Sequence, residues 1–142
     1  MARNVTIQYT NDGSNWSTLG TYEIPEAAGS PDYPHNFEVD FGGIPATAVI
    51  ITASAANGNW GDPGPYYGLS EVRFGIQNDA GNIAPAASVT VSSQFNAAYG
   101  SGNVLDGIKG LHGVGEWASL GEADPWIRLD WSSSQTINRI KI

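Results

Sequence analysis

The chain has 142 residues, no cysteine, and a formal net charge of −8 with only 14% of its residues charged. That length suffices for one domain with its own core, the absence of cysteine excludes disulfides and thiolate metal sites, and the acidic balance repels phosphate backbones, so nucleic acid is not an expected partner. No apolar run approaches the roughly 20 residues that cross a bilayer, and the opening MARNVT lacks a signal-peptide stretch, so an export signal is expected outside this sequence.

Short strand-like runs then follow in chain order: NVTIQYT, HNFEVDF, TAVIITA, LSEVRFG, SVTVSS, PWIRLDW and TINRIKI. Each is rich in Val, Ile, Thr or aromatics, and most alternate apolar and polar residues, the mark of a half-buried strand. NDG after the first run is a turn, because Asn and Gly tolerate positive φ. No segment keeps a 3.6-residue period for three turns. Seven or eight short strands without helices predict an all-β sandwich or barrel. Two long loops, 55–68 and 96–124, carry aromatics, and long loops in compact domains tend to be functional. Between them the polar, turn-rich 76–86 reads as a linker, and the two flanking halves do not resemble each other.

The residues carry a family resemblance, and it covers nearly the whole chain. Residues 82–142, with NIAPAASVTVSSQF, NVLDG, EWASL, PWIRLDW and QTINRIKI, look like the first half of an F5/8 type C (discoidin-like) domain, similar to family 32 carbohydrate-binding modules. Residues 4–75, with VTIQYTNDGSNWSTLG, NFEVDFGGIPATAVIITA and YYGLSEVRFG, look like its second half. The order of the halves is reversed. The resemblance therefore implies a circularly permuted jelly-roll β-sandwich, one domain over 1–142. Residues 1–75 are equivalent to the family's C-terminal half, 87–142 to its N-terminal half, and 76–86 joins them. Permutation is physically easy where domain ends lie close together at the surface. A window across two tandem copies, or an exchange of halves between two chains that gives a homo-oligomer, would present the same order.

The resemblance also implies a structural Ca²⁺ held by Asp106 of the DG step, by carbonyls of the loop after it, and by Glu71 of LSE. Ca²⁺ takes six to eight oxygens, so two carboxylates plus loop carbonyls suit it. The bland alternative has Asp106 capping a turn and Glu71 paired with Arg73 or Arg128. Gly115 stands where the family often has Ser or Thr before its Trp.

Proteins hold sugars by stacking aromatic rings on C–H faces while polar groups bond the hydroxyls. Loop 55–68 offers Trp60, Tyr66 and Tyr67 with Asn57, Asn59 and Asp62; loop 96–124 offers Tyr99, His112, Glu116 and Trp117. Trp60, set among Gly, Asp and Pro, is the aromatic expected to be most exposed. Trp117 falls where the family packs a residue, and Trp16, Trp126 and Trp131 read as structural. In many galactose-binding relatives a basic residue follows the RI-I strand and contacts the sugar. Only Arg3, Arg139 and Lys141 stand near that position here.

Glycoside hydrolysis needs two carboxylates roughly 5–10 Å apart, and the loops hold Asp62, Glu116, Glu122 and Asp124. No nucleophile elbow, HExxH helix or phosphate loop accompanies them. The expectation is a non-enzymatic glycan-binding module, extracellular or at a cell surface. The alternative is a structural, adhesive or self-assembling module that binds no sugar.

Overall fold

A computed structural model describes residues 1–26, 37–54, 59–60, 66–76, 81–108 and 114–142. Among the described residues eight strands run in chain order: β1 (Asn4–Thr10), β2 (Ser17–Glu23), β3 (Glu38–Ala53), β4 (Gly68–Leu69), β5 (Arg73–Gly75), β6 (Ser88–Val91), β7 (Trp117–Ala118) and β8 (Trp126–Lys141). The larger sheet has the order β2-β1-β3-β8-β5, with β6 also paired to β8, and β4 pairs β7 separately. Every pairing is antiparallel. The chain is all-β, as its alternating runs predict.

The turn after β1 forms as its residues dictate. Gly13 takes φ +77°, and the Asp12 carboxylate accepts the backbone N–H groups of Asn15 (2.7 Å) and Ser14 (2.8 Å) and the Asn15 side-chain amide (2.6 Å). These donors, the Asn15 N–H first, hold the Asp12 carboxyl well below the usual carboxylate range. β2 follows directly, although STLGTYE has little apolar alternation. It forms because β1 offers it a partner from Asn4↔Glu23 to Tyr9↔Ser17.

β3 and β8 are each 16 residues long. A straight strand of that length would hold its ends roughly 50 Å apart. The contacts forbid this. Val5 lies between Ala53 and Tyr22 in the sheet, which puts Tyr22 about 10 Å from the far end of β3. Yet the Tyr22 ring meets Phe37, one residue before β3 begins, edge to face at 6.0 Å. The β3–β8 ribbon must therefore fold back on itself, so that its two halves face each other across a core, in a sandwich-like arrangement. The bend falls at two register shifts, between Asp40 and Ile44 and between Ala46 and Ala48, with Gly42 and Gly43 at φ +70° and +73°.

Folding back has a second consequence. Phe37 C=O accepts the Ile142 N–H at 2.9 Å, so Val5, Tyr22, Phe37 and Ile142 are linked in turn. The start of β1 and the end of β8 lie at the same end of the molecule. Inside the fold pack Val5 and Ile7 of β1, Phe41, Val49 and Ile51 of β3, Phe74 of β5, and Ile127, Leu129, Ile137 and Ile140 of β8.

The later part of the 76–86 linker is tied into this core. Ile83 N–H donates to Phe74 C=O (2.9 Å), Ile83 C=O accepts the Trp131 indole N–H (2.9 Å), and Ala84 is buried at the head of a 3-10 turn. Trp131 also meets Phe74 edge to face at 5.1 Å.

The bend gives a first prediction. A Cβ at Gly42 would meet nothing within 4 Å, so Gly42→Ala carries only the penalty of a left-handed backbone. It should lower stability by about 1–2 kcal/mol in chemical denaturation, and Gly42→Asn by less. Equal losses for Ala and Asn would show that φ is not what the position requires.

Candidate functional site

Two features stand out at the loops: an exposed aromatic rim and a buried carboxylate. The rim is built by three rings from separate stretches of chain. Tyr66 and Phe95 meet edge to face at 5.2 Å and 81°, and Phe95 and Tyr99 at 5.6 Å and 83°. Tyr66 is 47% and Phe95 42% exposed, and Tyr99 is half-buried. Such edge-to-face contacts suit the ring quadrupole.

Backbone bonds hold each ring in place. Phe95 N–H donates to Ala118 C=O (2.8 Å), and Tyr66 C=O accepts the Asn59 amide (2.6 Å). Tyr99 sits in the 3-10 turn Ala97–Tyr99, whose first turn is capped by Asn96 Oδ1 accepting the Ala98 N–H at 2.8 Å. The Asn103 amide then donates to Ala98 C=O (2.8 Å) and Glu116 C=O (2.9 Å), tying the two arms of the long loop together. Leu120, also exposed, is fixed by its N–H on Ser93 Oγ at 2.8 Å.

The residues singled out in the sequence divide among several places. Tyr66 joins the rim, and Asn59 braces it from behind. Tyr67 is only 6% and Trp117 only 1% exposed; both face the core, and neither presents a ring to a ligand. Tyr67 N–H donates to Ser119 Oγ (3.1 Å) and the Trp117 indole N–H to Ser93 C=O (2.8 Å).

Trp60 is half-buried rather than prominent. Its backbone N–H donates to Met1 C=O (2.9 Å), its indole N–H to Ile24 C=O (2.6 Å), and the Arg3 guanidinium lies 4.4 Å from its ring centroid. One face of the ring is thus covered, and the residue braces the first residues of the chain. Asp62 and His112, with Asn57, lie outside the described residues. Of the loop carboxylates weighed for hydrolysis, Glu122 accepts the Ser92 and Ser93 hydroxyls, which turns it toward the scaffold.

Phe95 is not among the loop aromatics that the sequence marks as candidates. It lies in the bend beyond Val91, the last residue of β6. The signal that marks it as a site residue is its exposure beside Tyr66 and Tyr99, which only the assembled loops create.

Glu71 is 3% exposed. Its Oε1 accepts Arg73 Nε at 3.3 Å and its Oε2 the Gly107 N–H at 3.1 Å. Burial pushes its pKa above the ordinary value. The Gly107 N–H and Arg73 oppose that rise, and the nearby Asp106 charge adds to it. Asp106 ends the 3-10 turn Ser101–Leu105, and its Oδ1 accepts the Ile108 N–H at 2.7 Å. Two carboxylates thus lie near one another. Among the described residues no group of three or more acidic, His or Cys side chains gathers around an ion-sized space. Arg128 is engaged elsewhere: it pairs with Asp130 at 2.5 Å and lies over the Trp16 ring at 5.1 Å.

A family model described as a domain of unknown function (DUF7402) matches residues 82–142, less than half of the chain. No curated protein and no solved structure matches it. Among the described residues no helix is long and apolar enough to cross a membrane.

Proposed function

We propose that the chain is a non-catalytic glycan-binding module with a discoidin-like jelly-roll fold, its two halves in reversed order, working outside the cell or at its surface. The observation that carries the reading is the exposed Tyr66–Phe95–Tyr99 rim. Phe95 stands nearly perpendicular to Tyr66 on one side and to Tyr99 on the other, which makes a stepped surface. One ring face can stack on a sugar while its neighbours form walls, and Asn96 and the Tyr hydroxyls supply polar contacts.

Two observations support the reversed order. The match to the family of unknown function spans residues 82–142, the same stretch that resembles the first half of a discoidin-like domain. The start of β1 and the end of β8 share one end of the molecule, as a permutation requires.

A Ca²⁺ belongs to the same proposal. Asp106 and Glu71 would hold it with loop carbonyls, and the all-oxygen donor set fits a hard cation. When bound, it would fix the 106–108 loop.

The test is a glycan array followed by titration calorimetry on the best-binding sugar. Phe95→Ala and Tyr66→Ala should each weaken binding roughly tenfold, the worth of a lost ring contact of about 1.4 kcal/mol, with Tm nearly unchanged. Trp60→Ala should weaken binding far less. Full-strength binding by both rim variants would place the sugar elsewhere. A chain that binds no glycan but forms a concentration-independent oligomer in light scattering would favour an adhesive or self-assembling module.

A further inference from the structure

The chain has only six Lys and Arg residues against fourteen Asp and Glu, yet three of the six line one cavity. It measures about 320 Å³ and is bounded by Arg73, Gly75, Gly81, Asn82, Arg139 and Lys141, over the Phe74 backbone. Strand pairing creates the cluster. β5 pairs β8 with Arg73 opposite Lys141 and Gly75 opposite Arg139. Phe74 and Ile140, between them, turn into the core, so the three cations share the outer face. A Cβ at Gly75 would lie 2.9 Å from Arg139 Cγ; the glycine lets the arginine stem lie across the strand.

The walls are fixed. Asn82 Oδ1 accepts the Phe74 and Ala84 N–H groups, both at 3.0 Å, which commits its carbonyl and leaves its amide nitrogen as a donor. Arg73 is steadied by its Nε on buried Glu71 at 3.3 Å. The side chains of Arg73, Arg139 and Lys141 all remain partly open to solvent.

A protein carboxylate already shows what this cluster accepts. Glu38 Oε1 takes a hydrogen bond from Arg139 Nη1 at 3.1 Å, while its Oε2 lies 3.6 Å from Lys141 Nζ. Glu38 and Asp40 stand on β3, on the opposite side of β8 from the cavity. The face therefore grades from acidic on β3 to basic on β8 and β5. A single carboxylate spans two of the cations from the β3 side, and the cavity opens on the β5 side.

We infer that this cavity is a second binding site, for the carboxylate of a uronic acid residue in an acidic glycan. Anion capture follows from the cluster itself; the choice of a sugar acid rests on the glycan reading. The site shares no residue with the aromatic rim. Charge-assisted bonds from Lys and from a fixed Arg fork suit a carboxylate. The overall negative charge repels anions at a distance, so binding should be short-ranged and weaken as salt rises.

The experiment titrates the protein with a galacturonate trimer, its methyl ester and a sulfated oligosaccharide at low and high salt. The free acid should bind, the ester should not, and the sulfated chain should bind no tighter than the acid. Lys141→Gln should weaken binding about tenfold, the loss of one charge-assisted contact. Glu38→Gln should tighten it, because a competing carboxylate is gone. A surface ion-pair ladder with no ligand would show neither change. Phe95→Ala should leave acid binding intact, so failure of the rim and failure of the cavity are read separately. Equal binding of acid and ester, tighter binding of the sulfated chain, a Glu38→Gln variant that binds no better, or no binding of the acid would each overturn the assignment. Melting curves check that both variants fold.

Discussion

Replacing Trp117 by alanine is expected to lower the unfolding free energy by about 3–5 kcal/mol, the usual result of deleting a fully buried large aromatic. The side chain is 1% exposed, and its indole N–H satisfies Ser93 C=O at 2.8 Å. Truncation leaves both a cavity and a carbonyl without its donor. The surroundings have little room to collapse into the gap. Trp117 pairs Leu69 across β4–β7, and Gly68 approaches so closely that a Cβ there would sit 2.7 Å from Trp117 C=O. Trp117→Phe keeps most of the volume and loses the N–H, so a smaller loss of about 1–2 kcal/mol is expected.

Urea denaturation of the two variants measures this. The alanine variant should also bind glycan poorly, because Phe95 hangs by its N–H from Ala118, the neighbour of Trp117. A loss below about 1 kcal/mol for Trp117→Ala would show that the 114–120 segment is not packed as described.

Glu71 should give the second large effect, and its sign depends on calcium. Without the ion its pKa is raised, chiefly by burial. The folded state then holds the proton more tightly than the unfolded state. The group's contribution is fully present below the ordinary carboxylate pKa and is lost as pH rises through the raised value. Stability of the chelated protein should therefore fall as pH climbs out of the ordinary carboxylate range, and Glu71→Gln should flatten that slope. Glu71→Ala strands the Gly107 N–H and should lower stability by about 1–3 kcal/mol. Arg73 adds little to that loss, since it remains partly open to water.

Added Ca²⁺ should raise Tm of the wild-type chain, increasingly so at higher pH where the carboxylate is ionised. Neither Glu71→Gln nor Asp106→Asn should respond as strongly. Differential scanning calorimetry with calcium and with chelator, across pH, separates the cases. A Tm that ignores calcium at every pH would remove the metal and leave Glu71 as a partner of Arg73 and Gly107.

Much of the strand content was legible because alternation is a local property. NVTIQYT became β1 residue for residue, and NDG formed the turn its φ preferences demand. HNFEVDF with TAVIITA, and PWIRLDW with TINRIKI, were also recognisable as strands. The residues of each pair that lie within Glu38–Ala53 or Trp126–Lys141 nevertheless belong to one bent strand, β3 or β8, because the bend is made by bulges and glycines that leave the ladder continuous. β2 was missed for the opposite reason: its stability comes from its neighbour rather than from its own pattern. At the loops, the sequence could name aromatics but not sort them. Tyr66 and Tyr67 are adjacent and identical in type, yet one stands at the rim and the other in the core.

By itself, then, the sequence determined that this is an acidic, all-β chain, where most of its strands lie, and which loops carry rings and carboxylates, since composition and period two are written within a few residues of one another. Only the tertiary structure decided which rings reach water, that Phe95 completes the rim, that Glu71 is buried beside Asp106, and that three of six cations meet over Gly75. Those facts depend on pairings between residues tens of positions apart. Exposure and electrostatic surroundings are properties of the assembled neighbours, and no stretch of chain carries them alone.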